Sequence, residues 1–392
     1  MTTTRRSMLS LLGGTTAVLA TGLPSYADAA GDRVPDDLLP GGAFDRFVAA
    51  QAAADAFSGS VLLTHRGRPV LARSYGKADK QRSVPNGPGT RFALASVTKL
   101  FTAVAIAQLA QQRKVAYGAT VGEYLAGFPA AIAGKVSIHH LLTHTSGLGD
   151  YHQTPGFWEK AATWTSRDAV MDGITEFIRQ SALIAVPGVS WNYSNSGYHL
   201  LGAIVAQASG QSYYDYVSEH VFRRAGMVGT GFYTRPQRLA DPRIARPYTL
   251  QPSGERVDIA KDLLYVGTPS GDAFATCADL DRFANALSGA KLLDPAFTQL
   301  TVSGKLPLPP PLGPPPPPPP PTTTPPTMFQ GYGPLVGLVN GRSVVGHGGG
   351  SPSASTSVET YPDLGWNAVV LSNYGEAARP IVTLAHRIIT AL

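Results

Sequence analysis

Strand-forming segments lie near both ends of this 392-residue chain, and a long, mainly helical stretch separates them. Ser60 to Ala72 reads as two β-rich runs around Arg66-Gly67, directly after a helical pattern from Phe44 to Phe57. Late in the chain, Tyr332 to Val339 and Ser343 to Val345 flank Asn340-Gly341, a dipeptide suited to a two-residue hairpin turn. Further β-rich runs fall near Ser357 and from Ala368 to Leu371, and a closing helix is expected from Ala377 to Thr390. From Ser96 to about Ala208 the pattern is mostly helical, with turns at Gly147-Leu148-Gly149 and Pro187-Gly188. Two short groups of strands cannot each bury a face alone. They must complete one sheet from distant parts of the chain, with the helical segment inserted into it, which places the chain in the α+β class. At 43% hydrophobic and 15% charged residues the chain can bury one sizeable core or two modest ones.

Two segments stand outside that pattern. Arg5-Arg6 precedes an apolar stretch from Met8 to Leu23, and the small-residue sequence Ala27-Asp28-Ala29 follows it. Residues 1–29 therefore read as an export signal resembling the twin-arginine type, with an ordinary secretory signal as the alternative. The stretch is too short and too rich in Gly and Thr for a spanning helix, and no second one is apolar enough. The expectation is a periplasmic or extracellular protein with no stable membrane insertion after processing, its folded domain covering residues 40–392. Pro307 to Thr327 is dominated by proline. Such a stretch has few backbone donors, so it is expected to stay out of the sheet as an extended loop insertion.

Charge and cysteine content exclude several functions. The net charge of +6 is carried by scattered residues, with no run of five or more Lys and Arg to follow a phosphate backbone, so no nucleic-acid partner is expected. Cys277 is the only cysteine, which rules out an internal disulfide and a metal site built on paired thiolates.

Three short motifs carry chemistry. Ser-x-x-Lys occurs at Ser74/Lys77, Ser96/Lys99 and Ser288/Lys291. Ser74 ends a strand pattern, where residues three apart point to opposite faces, and Ser288 stands at a helix end before Gly289. Only Ser96 lies where an irregular segment, Thr90 to Ala95, runs into a long apolar helix, Val97 to Gln112. There the spacing stacks the amine over the hydroxyl, and the helix dipole favours a negative charge on the serine oxygen while disfavouring an ammonium. A lysine so placed can act as a base at neutral pH. Tyr193-Ser194-Asn195 is the only Tyr-x-Asn in the chain. A tyrosine beside an ammonium is expected to have a lowered phenol pKa and to pass a proton to a leaving group. The plainer reading is a packed loop tyrosine, with Asn195 capping the next helix. His347-Gly348-Gly349-Gly350 follows the Asn340-Gly341 hairpin, and glycines leaving a strand let a substrate lie against bare backbone, with a free N–H aimed at its carbonyl oxygen.

In this order and context the three motifs resemble those of the β-lactamase-like serine hydrolases, the superfamily of class C β-lactamases, D-alanyl-D-alanine carboxypeptidases and related esterases. The likeness runs from about Asp45 to Leu392 apart from the proline insertion. It includes Leu141-Leu142-Thr143-His144-Thr145-Ser146-Gly147-Leu148 and Asn340-Gly341-Arg342. The resemblance implies a five-stranded antiparallel sheet flanked by N- and C-terminal helices plus an inserted helical domain, with the site between them. It implies Ser96 as nucleophile, Lys99 and Tyr193 sharing base and acid duties, and Asn195 positioning the substrate amide. The backbone N–H groups of Ser96 and Gly350 would bind the oxyanion, and no cofactor is implied. His347 and Gly348 stand where the lactamases of the group carry Lys-Thr, which help hold a substrate carboxylate. A partly charged histidine and a glycine are weak substitutes. The resemblance therefore points to a peptidase acting on D-amino-acid peptides, of the D-Ala-D-Ala carboxypeptidase type, or an esterase acting on acyl esters. A β-lactamase, or a penicillin receptor that acylates and stops, is the alternative.

Other readings are weaker. The chain has no Gly-x-Ser-x-Gly elbow, which argues against a different serine hydrolase fold. His140 and His144 have helical spacing but no glutamate between them, so packing in the Thr-His-Thr-Ser turn is preferred to a metal site. Tyr151, Trp158 and Trp164 are candidates for the cleft wall.

Overall fold

A computed structural model describes residues 34–309 and 327–392. The export-signal reading of residues 1–29 and most of the proline tract lie outside the described residues. Alternating side chains make the sheet two-faced. Val61, Leu63 and Val370 point into one apolar cluster, while Leu62, Val369 and Leu371 point into another on the opposite side. The first strands, β1 (Gly59–His65) and β2 (Arg68–Tyr75), form the expected hairpin at Arg66-Gly67. Six more strands come from the end of the chain: β3 (Leu306–Pro307), β4 (Thr327–Gln330), β5 (Leu335–Val339), β6 (Arg342–Ser351), β7 (Ala354–Tyr361) and β8 (Trp366–Ser372). They join in the order β2-β1-β8-β7-β6-β5-β4-β3, and every neighbouring pair is antiparallel.

The sheet thus has eight strands, not the expected five. The five-strand arrangement survives as β2-β1-β8-β7-β6, and β5 to β3 extend it. The expectation that Pro307 to Thr327 stays out of the sheet fails at both ends. Pro307 pairs with Phe329, and Thr327 pairs with Leu338. Proline is tolerated because β3 is the edge strand, where a missing N–H can face away from the ladder. The strand expected from Tyr332 begins only at Leu335, because Gly331 donates its N–H to the Pro334 carbonyl and closes a turn there.

Helices cover both faces. On one side α1 (Ala43–Ala53) contributes Phe44 and Val48 to the cluster that also holds Ile381, Ala385 and Ile389 of the C-terminal helix. On the other side lies α2 (Lys99–Gln111), of which only Gln111 is exposed. A helix apolar all round belongs in a core. Beside it runs α3 (Asn195–Ser209). Among the described residues no helix is long and apolar enough to cross a membrane.

Candidate active site

Ser96 does not open the long helix directly, as expected, but sits in a 3-10 turn, Ala95–Thr98, that leads into α2. Ala95 holds a left-handed backbone, φ 44°, a conformation that costs a non-glycine residue roughly 1–3 kcal/mol and persists only where the surrounding structure fixes it. Neighbouring backbone fixes the turn. The Leu94 N–H donates to the Ala273 carbonyl at 2.8 Å, and the Asp272 N–H donates to the Ala95 carbonyl at 3.2 Å. From the other side, the Thr356 hydroxyl of β7 donates to the Leu94 carbonyl at 2.9 Å.

Three side chains from separate stretches meet at this turn. Lys99 Nζ lies 3.0 Å from Ser96 Oγ, and the Tyr193 hydroxyl donates to the same oxygen at 2.6 Å. Lys99 is fully buried and its amine also donates to Asn195 Oδ1 at 2.7 Å and to the Ser270 carbonyl at 2.6 Å. Two fixed acceptors therefore claim two N–H bonds. The remaining position faces Ser96: an ammonium would offer a third N–H there, whereas a neutral amine offers its lone pair. Burial pushes the Lys99 pKa down to about 7, with Asp150 and Asp272 pulling it back up. The neutral, proton-accepting form is thus accessible near neutral pH.

Two charge expectations are corrected. The Tyr193 phenol was expected to be lowered by the lysine, yet its pKa is raised, because burial disfavours the phenolate and the Asp150 charge adds to the rise, outweighing the hydrogen bond to Ser96. Burial likewise pushes His347 down to about 4, so it is neutral at pH 7 and not partly charged. The Asn195 cap is also corrected, since Ser194 caps α3, accepting from the Gly197 N–H at 3.2 Å. That frees the Asn195 side chain for Lys99.

The glycine run forms the C-terminal half of β6; it does not leave the strand as expected. Gly349 explains why. A Cβ there would stand 2.3 Å from the Leu94 carbonyl oxygen and 3.1 Å from Ser96 N, so only glycine lets the strand approach the serine turn this closely. At Gly350 nothing lies within 4 Å of the equivalent position, and Gly350 lines the same cleft as Ser96 and Asn195. His347 is buried, its Nδ1 against the Gly348 carbonyl.

One contributor, Asp150, carries no readable motif. Asp150 accepts from Asn195 Nδ2 at 2.7 Å and contacts His152 Nδ1 at 3.1 Å, holding Asn195 toward the lysine. Burial pushes Asp150 upward, but hydrogen bonding and charge from His152 outweigh it, and its pKa is lowered. His144, at φ 58°, stacks on the Tyr193 ring with centroids 4.4 Å apart, and its Nδ1 accepts from the Ser194 N–H at 3.2 Å. His140 Nδ1 accepts from the Ser137 N–H at 3.2 Å. Both nitrogens are engaged in holding backbone, and no group of three or more potential ligands among the described residues is placed to hold a metal. Ser74 bonds to Ser60 and Ser288 to its own helix, so neither meets a lysine. Of the aromatic candidates, Tyr151 and Trp158 line the cleft, whereas Trp164 is buried against Phe157 and Phe177.

A cleft of about 440 Å³ lined by Ser96, whose oxygen is met by a buried lysine and a tyrosine, and set against β6 of an antiparallel sheet, defines a serine hydrolase of the β-lactamase/transpeptidase-like α+β fold. The chain belongs to the β-lactamase family, whose model matches residues 44–391. It is 32% identical over 336 residues to penicillin-binding protein 4* of Bacillus subtilis (strain 168), a match covering 82% of this chain and 69% of that protein. It is also 36% identical over 198 residues to esterase EstB of Burkholderia gladioli, covering 46% of this chain and 48% of that one. The chain spans about half the length of other curated relatives, 56% of PbpX from the same Bacillus strain among them. A penicillin-binding protein from Bacillus halodurans superimposes with a TM-score of 0.75 at 26% identity, over 87% of this chain and 98% of that one.

Proposed function

We propose that the protein hydrolyses acyl substrates through an ester formed at Ser96, as an esterase or as a peptidase on D-amino-acid peptides of the D-Ala-D-Ala carboxypeptidase type. The convergence of Lys99 and Tyr193 on one serine oxygen carries this reading. Neutral Lys99 takes the Ser96 proton as Oγ attacks the carbonyl carbon. The backbone N–H groups of Ser96 and Gly350 receive the oxyanion, and Asn195 orients the substrate. Tyr193, held as a neutral phenol, passes the lysine's proton to the leaving group, and water then releases the acyl group by the reverse route. His347, neutral and buried, cannot supply the cation that would hold a substrate carboxylate, which weighs against efficient β-lactam turnover. Arg5-Arg6 and the apolar stretch after it are the basis for placing this activity outside the cytoplasm.

Incubation with p-nitrophenyl butyrate, a D-Ala-D-Ala peptide and a fluorescent penicillin tests the reading. Turnover of the ester or the peptide is expected, with at most slow release of the penicillin. Rapid penicillin release would make it a lactamase, and a penicillin adduct with no turnover of any substrate would make it a receptor.

The lysine also sets a pH dependence. Lys99 must be neutral to accept a proton, so kcat/KM should fall about tenfold per pH unit below a midpoint near 7. Asp150 raises the lysine's pKa, so Asp150→Asn should move that limb to lower pH while also slackening Asn195. An unmoved limb in the variant would mean that another group sets it.

A further inference from the structure

Trp158 is a large apolar side chain left 48% exposed, and it is exposed into the catalytic cleft. Its ring stacks on His152, with centroids 5.4 Å apart and planes 11° from parallel. His152 is in turn fixed by Asp150, whose other oxygen holds Asn195. The indole is therefore fastened, through two side chains, to the group that orients the lysine. Ile259, Leu263 and Leu264 line the same cleft. Two carboxyl groups, Asp262 and Asp272, line it, and no lysine or arginine among the described residues does, Lys99 being buried beneath Ser96. A cleft of about 440 Å³ is far larger than an acetyl group needs.

We infer that Trp158 and its His152 stack form an acyl-group subsite that selects apolar, preferably aromatic, acyl chains and rejects anionic ones. This inference rests on the acyl-enzyme reading at Ser96. A flat ring laid on the indole gains contact area and offset-stacking geometry that a methyl group cannot. A carboxylate there would be desolvated beside the carboxyl groups of Asp262 and Asp272, with no lysine or arginine in the cleft lining to pair with it.

The test compares kcat/KM for p-nitrophenyl phenylacetate, acetate and succinate in the wild-type protein, Trp158→Ala and Trp158→Phe. In the wild type the phenylacetyl ester should exceed the acetyl ester by on the order of tenfold or more, with the succinyl ester slowest. Trp158→Ala should bring the phenylacetyl-to-acetyl ratio close to unity, and Trp158→Phe, which keeps a ring on His152, should retain most of it. A wild-type ratio near unity, a ratio unchanged in the alanine variant, or a succinyl ester cleaved as fast as the phenylacetyl ester would overturn the subsite while leaving the Ser96 mechanism standing. Failure to cleave any of the three esters would overturn the subsite alone if a D-Ala-D-Ala peptide is still turned over, and would remove the mechanism and the subsite together if it is not.

Discussion

Ser96→Ala should lower ester turnover by on the order of 10³-fold or more, the scale on which removing a nucleophile from a concerted group acts. The reason is geometric. Lys99 Nζ and the Tyr193 hydroxyl both end on Ser96 Oγ, and no other hydroxyl shares both contacts among the described residues. Groups acting as a unit lose their value together, so Lys99→Met should be nearly as damaging, and Ser96→Ala combined with Lys99→Met should cost little beyond Ser96→Ala alone. Additive losses would mean that the lysine supports catalysis by some route that bypasses the serine. Steady-state kinetics with p-nitrophenyl butyrate, alongside circular dichroism to confirm folding, decides between these outcomes.

Gly349→Ala should have the second-largest effect, through the backbone. The new Cβ would stand 2.3 Å from the Leu94 carbonyl oxygen, 2.5 Å from Thr356 Oγ1 and 3.1 Å from Ser96 N. The first and last of these are main-chain atoms and cannot rotate away. Either β6 or the serine turn must shift, at a cost of about 1–3 kcal/mol for overpacking of this kind. Whichever moves, the distance between Ser96 and Gly350 changes, so activity should fall further than stability does. Gly348→Ala is the control for stability. Its Cβ would meet only the Thr356 carbonyl oxygen, at 3.7 Å, and its melting temperature should stay close to the wild type. Equal melting temperatures for the two variants would show that the approach of β6 to the serine turn is not tight.

Much of this architecture was readable before any coordinates, because it rests on local rules. The Arg66-Gly67 hairpin, the Asn340-Gly341 turn and the closing helix each follow from turn chemistry or periodicity, and each is present. The outer strands were hidden by the opposite cause. Leu306–Pro307 reads as a breaker, and only its place at the sheet edge makes the proline acceptable. Residues 348–350 read as glycines leaving a late strand, yet all three stay within β6, because the close approach to Ser96 demands glycine there. A tertiary requirement outweighs a local preference in both cases.

The reacting groups themselves were legible, since Ser96, Lys99 and Tyr193 stand in motifs with characteristic spacing. Their electrostatics were less so. The lysine's charge alone implies the wrong sign for Tyr193, because burial of the phenol disfavours the phenolate and outweighs it. Asp150 and the Ser270 carbonyl had no signature at all, and the stretch holding His144 did not reveal its stack on Tyr193. Asp150 meets Asn195 across 45 residues and Ser270 meets Lys99 across 171, and the Ser270 contact is made by backbone, which residue type does not encode.

Rapid acid quench during turnover of a slow ester, followed by digestion and mass spectrometry, addresses the serine mechanism most directly. An acyl mass increment confined to the peptide containing Ser96, and lost again as the substrate is exhausted, is the expected result. Turnover with the adduct on another residue, or with no adduct at any time together with undiminished activity in Ser96→Ala, would contradict it.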